Sequence, residues 1–273
     1  MNTRRCSALV VPVVAWLLVV AVVRPFVQPG QARGANHAAA TPAVLRLASG
    51  EWPPYTGEHL PGHGCDSQVV SEVFAKAGIE VHYSFLPWAR GKLLSTDGAL
   101  DGAIEWADTP EHRASHFISA QPLSAQRWVF FHHRDRVFPW QHLKDLQHQR
   151  IGLTIGYAYS DVFKPLQAKY PAMFSEAASD LLNIKKLLHG RLDLVPLERG
   201  VGRYLLRTAF GPQEQEQIVA QEQTISHFAP HLLLSRAVPG NDQRMQLFDQ
   251  GLAQLQADGR YREIMAACSG EGL

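Results

Sequence analysis

Between Leu100 and Phe117 the chain reads LDGAIEWADTPEHRASHF. A short apolar run, Ala103-Ile104, ends at a polar-aromatic corner made of Glu105, Trp106, Ala107 and Asp108. A helix-start signal follows: Asp108 or Thr109 suits the cap, Pro110 the first helical position, and Glu111 the first turn. A strand that runs into a helix N-terminus turns unpaired backbone N–H groups toward an anion. Arg113 lies about one turn into that helix, and a planar guanidinium holds a carboxylate through two parallel hydrogen bonds. The same pattern also describes a buried strand, a turn, and a helix whose arginine pairs with a neighbouring acid.

Working outward, the pattern before this stretch alternates. Val44–Ala48 reads as a short strand, and Trp52-Pro53-Pro54-Tyr55 as a rigid turn leading into a Gly/Pro/His loop over Gly57–Gly64. Val69, Val70, Val73, Phe74 and Ala77 fall at helical spacing, and Gly78 ends that helix. Val81–Phe85 alternates as a strand, Trp88–Leu94 is helical, and Ala103-Ile104 is strand again. This β-α-β-α-β order predicts parallel strands joined by right-handed crossovers.

Downstream, Arg127–His132 (RWVFFH) is a β-rich run that leads out of the first lobe. The pattern restarts with a strand over Arg150–Gly156, helices over 159–169 and 179–189, a strand over Leu192–Val195, and a helix from about 199. LDGAI at 100–104 is echoed by LDLVP at 192–196, as expected of two lobes on one plan. Ser226–Leu234 crosses back, and helices over 241–256 and 258–267 finish the first lobe. The expected fold is α/β and two-lobed, with discontinuous lobes that each carry a central, mostly parallel sheet. Lobe 1 spans 41–131 plus 231–273, lobe 2 spans 132–230, and hinge strands lie near 130–134 and 226–232. Such sheets bind ligands at their strand ends, in a shared crevice.

Composition agrees with a globular body: 46% of the 273 residues are hydrophobic and 19% charged. Residues 1–40 hold four arginines and no acid, which leaves 22 basic against 25 acidic groups in the rest. A mildly acidic body lacks the basic footprint that nucleic-acid binding needs. Arg4-Arg5 followed by an apolar run from Ala8 to Val23 is a targeting segment, either cleaved after Ala38-Ala39-Ala40 or kept as a single-span anchor. Both outcomes export the body. Setting Cys6 aside leaves Cys65 and Cys268, either as a disulfide or as two free thiols.

The longer segment LDGAIEWADTPEHRASHFISAQPL resembles the family 3 solute-binding proteins, the periplasmic receptors of polar amino acid ABC transporters. There an Asp-bearing strand is followed by a turn carrying Thr and Arg, then by Phe-Ser-x-Pro. The matching residues are Asp101, Thr109, Arg113, Phe117, Ser119 and Pro122, with one extra residue before Pro122. The resemblance extends over nearly the whole chain after residue 40 and implies the periplasmic-binding-protein (Venus-flytrap) architecture. It implies that Arg113 grips a ligand carboxylate, that Trp52 covers the ligand, and that Glu198 receives an ammonium from the second lobe. Tyr55 and Trp106 are candidate further walls, and Asp101 and Asp193 fall to structure. In this fold the C-terminal helix returns to the first lobe, which makes the Cys65–Cys268 pairing possible.

This sequence also departs from the family. Asp108 and Ala158 stand where amino-acid binders carry small hydroxyls, and Gly156-Tyr157-Ala158-Tyr159-Ser160 replaces the usual Gly-Thr/Ser-rich loop, although Ser160 keeps a donor. Glu105 adds a further acid. These changes weigh against an ordinary α-amino acid and leave room for a cationic or amine-bearing ligand, or for an Arg113 neutralised by Glu105 or Asp108. Trp88-Ala89-Arg90 after Pro87 resembles a Pro-Trp-x-Arg pattern of a divergent branch, and otherwise reads as a helix start covering the sheet.

His112 and His116 stand at i, i+4, and His59 and His63 share a loop, but there is no HExxH and no Cys cluster, so no metal is expected. Nothing resembles a nucleophile elbow, phosphate loop or nucleotide fingerprint, and no cofactor is expected. The expectation is a monomeric periplasmic binding protein, not an enzyme, that takes a small amino acid or amine-like ligand and works with an ABC permease in the inner membrane. A tethered or free sensor module is the alternative, and a dehydratase-like enzyme on the same scaffold a further one.

Overall fold

The computed structural model describes residues 43–155 and 160–269, with the side chains of 160–162 and 268–269 outside that description. The expected targeting segment over 1–40 with its expected cleavage site, Cys6, and residues 156–159 lie outside the described residues. Among the described residues no helix is long and apolar enough to cross a membrane.

The first lobe opens with β1 (Ala43–Ser49), whose Leu45 and Leu47 are fully buried while Val44 and Arg46 face outward. This is the period-2 alternation of a strand. α1 (Cys65–Lys76) buries Val69, Val70, Val73 and Phe74, and Gly78 at φ +72° releases the chain into β2 (Ile79–Phe85). α2 (Trp88–Thr96), β3 (Gly102–Ala107), α3 (Pro110–Ser115) and β4 (His116–Ile118) follow. The α3 start is the one read from sequence: Thr109 caps it, accepting from the His112 N–H at 3.1 Å, with Pro110 next.

The second lobe runs through β5 (Gln126–His133), β6 (Ile151–Thr154), α4 (Ser160–Lys169), β7 (Phe174–Ala177), α5 (Asp180–Leu188) and β8 (Val195–Glu198). It closes with α6 (Arg199–Ala209), α7 (Pro212–Gln217) and β9 (Ile218–Phe228). β10 (Pro230–Ser235), α8 (Asn241–Ala257) and α9 (Arg260–Ser269) return to the first lobe.

The first sheet has the order β2-β1-β3-β10-β4, with β10 running against the others. The second has the order β8-β5-β9, and an isolated parallel bridge, Ile151–Leu194, attaches the β6-β7 pair to β8. There β5 is the reversed strand. In each lobe the reversed strand is the one by which the chain arrives from the other lobe.

Two sequence readings, the outward crossing and the strand before Glu198, are corrected by this pairing. Gln126–His133 pairs along its length with β8 and β9, so the outward crossing precedes Gln126 rather than falling near 130–134. The chain passes from the second sheet to the first at Ala229, between β9 and β10, inside the stretch 226–234 read as the crossing back. The strand read at Leu192–Val195 lies three residues later, at Val195–Glu198, so Glu198 ends the strand rather than following it. β7 and α7 carry no apolar periodicity strong enough to mark them in sequence; FSEA is held by pairing with β6.

The echoed Asp residues do the same work in both lobes. Asp101 accepts from the Arg46 backbone N–H at 2.7 Å and from its Nε at 3.2 Å. Asp193 accepts from the Arg150 backbone N–H and Nε, both at 2.9 Å. Both clasps tie the approach of a later strand to an earlier one, which supports one plan used twice.

Core packing follows the layers. Phe74 of α1 stacks on Phe248 of α8 at 5.5 Å beneath the first sheet. In the second sheet the neighbours Phe130 and Phe131 are both fully buried, and alternation sends them to opposite faces. A sheet covered on both faces needs consecutive apolar residues, which is why RWVFFH reads as a continuous run.

Candidate functional site

The C-terminal ends of β1 and β3 carry most of the candidate residues. Trp52 forms a narrow antiparallel bridge with Thr56, and its Nε1–H donates to Gln126 Oε1 at 3.1 Å. Its ring lies 5.9 Å from Trp128, which is paired with Glu198 across β5 and β8. Trp88 packs over Gly50, where a Cβ would collide with the indole. That absence of a side chain brings the first residue of α2 to the end of β1. Trp88 meets Trp106 edge-on at 6.1 Å, and the Lys92 ammonium stands 5.7 Å over the Trp106 ring. Trp106 thus already accepts a cation on its face.

Glu198 is buried at the end of β8 and caps α6, accepting from the Val201 N–H at 2.9 Å and from the Arg127 N–H at 3.3 Å. The Tyr55 hydroxyl also donates to it, which joins the turn after β1 to the second lobe. Burial raises the Glu198 carboxyl above its ordinary value, and these donors hold the rise in check. The Tyr55 phenol is raised by the same burial and by the nearby Glu198.

Glu105 is held in the left-handed region at φ +69°, where β3 carries one more residue than β10 between paired positions. This is a β-bulge, a device that redirects a side chain. The bulge turns Glu105 inward, where it accepts from Gln126 Nε2 at 3.0 Å and hydrogen-bonds to Asp66. Asp66, in the first turn of α1, accepts from the Ser124 hydroxyl at 2.6 Å. The remaining oxygens, Asp66 Oδ1 and Glu105 Oε1, are buried without any other partner. One proton shared between the carboxyls satisfies both, and burial beside Asp66 keeps it on Glu105 by pushing that carboxyl well up.

Arg113 is largely exposed and forms an ion pair with Asp108. Of the two acids that could claim it, Glu105 is spent on Asp66 and Gln126. The Ser160 side chain lies outside the described residues, so Trp52, Tyr55, Glu105, Trp106, Asp108, Arg113 and Glu198 remain to be placed. Six of them fall into three groups, Trp52 with Tyr55 and Glu198, Glu105 with Asp66, and Asp108 with Arg113, while Trp106 stands against Trp88 and Lys92. Sequence reasoning passed over Asp66, Gln126 and Trp128. Asp66 has only the local look of a first-turn acid, Trp128 lies within the run 127–132 read as a strand, and Gln126 stands just before that run.

The histidines have other duties. His112 Nδ1 donates to the Ala107 carbonyl at 2.7 Å, and His116 lies between the Ser95 and Ser115 hydroxyls at 3.0 and 2.9 Å. Burial, with His112, Lys92 and Arg236 nearby, pushes His116 down to about 4. His63 packs against Tyr83 and Phe85.

The chain can therefore present aromatic faces and carboxylates to a ligand, with its arginine already paired. No family model matches the sequence, and no curated protein is similar to it at a significant level. Solved structures are similar in fold. An ancestral arginine-binding protein bound to arginine superposes with a TM-score of 0.65 at 18% identity, over 84% of this chain and 99% of its own. The substrate binding protein of an amino acid ABC transporter gives 0.60 at 17% identity, over 83% and 99%. A histidine kinase sensor domain with similarity to periplasmic binding proteins gives 0.64 at 16% identity, over 82% and 95%. Two α/β lobes, each with one reversed strand where the chain crosses, together with these likenesses, give this chain the fold of the periplasmic binding proteins.

Proposed function

We propose that the chain is an extracytoplasmic solute-binding protein of the family 3 type that captures a small, amine-bearing polar solute for an ABC importer. The observation that carries this reading is the pairing of Arg113 with Asp108 while Glu198 lies at the junction of the lobes beside Trp52 and Tyr55. An amine is attracted by this charge pattern and by aromatic faces, whereas a carboxylate must first displace Asp108 from Arg113. In this reading the lobes proposed from sequence close on the ligand, with the outward crossing before Gln126 and the return at Ala229, within 226–232. Export through the segment 1–40 and pairing of Cys65 with Cys268 belong to the same reading. The pairing is supported by Cys65 being disulfide-bonded and by the packing of α9 against α1.

A thermal-shift screen of the full-length protein against amino acids, polyamines, short carboxylates and sugars tests the proposal. A ligand at about 100 times its dissociation constant adds roughly 2.7 kcal/mol, a readily measured rise in Tm. Hits among amines and amino acids are expected; hits confined to sugars or to amine-free carboxylates contradict the reading. In the same screen Arg113→Ala is expected to keep the affinity for amines within about threefold and to lose carboxylate ligands, because a lone salt-bridged surface arginine contributes only ~0–1 kcal/mol. A tenfold loss for a simple amine removes Asp108 and Arg113 as a self-neutralised pair.

A sensor module is the second reading, favoured by the likeness to the histidine kinase sensor domain. Edman sequencing of the exported protein separates the two: an N-terminus retained at Met1 favours a tethered sensor, and one near Thr41 favours a freely diffusing receptor.

A further inference from the structure

The chain crosses between its two sheets at two adjacent points. The Leu123 N–H still donates to the Pro230 carbonyl of β10 at 2.7 Å, and three residues later Gln126 is paired with Phe228 of β9. Both crossings therefore share one narrow strip, before Gln126 and at Ala229. The Asp66–Glu105 pair is bonded to that strip on either side of the outward step. Ser124 donates to Asp66 at 2.6 Å, and Gln126 donates to Glu105 at 3.0 Å.

The Gln126 amide is held in one orientation. The Trp52 indole N–H is a donor only, so the amide oxygen faces it, at 3.1 Å. The amide nitrogen then faces Glu105 Oε2 and the Ser124 hydroxyl oxygen, at 3.0 and 3.3 Å, and both must accept. Glu105 Oε2 is thus an acceptor, which leaves the buried Oε1 to carry the proton toward Asp66. Asp66, Ser124 and Gln126 are at most 2% exposed, so a lost partner is costly to replace.

We propose that Gln126 is a positioning residue for Trp52, and that the Asp66–Glu105 pair works it as a proton-operated latch. With the proton in place the pair anchors both sides of the crossing, and the amide holds the indole at the junction of the lobes, 5.9 Å from Trp128. Loss of the proton leaves two adjacent carboxylates that repel one another. The titratable groups that face the pair are Glu198 at the end of β8, Tyr55 in the turn after β1, Tyr83 on β2 and Tyr261 on α9. These are an acid and three phenols, so none of them brings a positive charge to hold both carboxyls ionised. Burial lifts the Tyr261 phenol to about 12 and the other two higher still, so all three stay neutral. Ser124 and Gln126 are each bonded to a different carboxyl, so separation of the two displaces the crossing, and Trp52 follows the amide. Under the solute-binding reading, retention of the solute then weakens as pH rises. The latch itself does not depend on which solute is bound.

Fluorine NMR of the full-length protein labelled with 5-fluorotryptophan tests the latch with no ligand present, so its failure is separate from a failure of the amine reading. Trp52→Phe identifies the Trp52 signal among the six tryptophans. In the wild type that signal is expected to move between pH 5 and 9, with one midpoint above the ordinary glutamate value of ~4.3. Glu105→Gln has no proton to lose and keeps a donor toward Asp66, so its Trp52 signal is expected to stay at the low-pH position throughout. Gln126→Met keeps the bulk of the side chain but removes the bond to the indole. There the Trp52 signal is expected to stop following pH while the stability of the chain still does. A Trp52 signal that is fixed in the wild type, or that titrates alike in either variant, overturns the proposal.

Discussion

Asp66→Ala is expected to lower the unfolding free energy by about 3 kcal/mol, because removing one member of a buried polar pair strands the others. The Ser124 hydroxyl loses its acceptor, and the proton on Glu105 loses the oxygen it points to. For a chain of this size that is a fall in Tm of roughly 6–12 °C. Glu105→Gln is the contrasting variant. Its amide donates to Asp66 and still accepts from Gln126, so it costs no more than about 1 kcal/mol.

The two variants also differ in how stability depends on pH. Glu105 is raised in the fold, so above the ordinary glutamate value, near ~4.3, the folded chain binds more protons than the unfolded one. The contribution of Glu105 is therefore complete below that value and fades as pH rises toward the raised one. Asp193 has the opposite sign: Arg150 holds it low, and its contribution is lost only in acid. Denaturant unfolding of wild type and Glu105→Gln between pH 5 and 9 isolates the acid pair. The difference in stability should shift steadily in favour of the variant as pH rises, and parallel curves would show that the pair shares no proton.

Glu198→Gln is expected to weaken amine-bearing ligands by about thirtyfold or more, within the ~2–5 kcal/mol typical of truncating a buried charged contact. The substitution preserves an oxygen for the Val201 N–H, so the cap of α6 survives with a loss of no more than ~1 kcal/mol. What it removes is the charge at the junction of the lobes. Ligands without an amine should bind the variant as they bind the wild type. An equal loss for both classes would reduce Glu198 to a helix cap and a partner of Tyr55.

The strand, corner and capped helix over 100–117 were legible in the residues themselves. Thr109 and Pro110 specify a helix start through side-chain and ring geometry, and Leu45, Leu47 and the Val69–Phe74 set reveal their elements by period. The Asp101 and Asp193 echo was legible too, since the same clasp is written twice. The path of the chain supplied the rest. Glu105 and Asp108 were equal claimants on Arg113 in sequence, and a single bulge in β3 removed Glu105 by turning it toward Asp66, 39 positions earlier. The three-residue shift of β8 follows from pairing with β5, which no local pattern near Leu192 records. Periodicity and capping act over a few residues and so are written locally. The acid pair, the Tyr55–Glu198 contact and the Trp52–Gln126 bond join distant segments, and only the folded chain brings those groups close enough to act on one another.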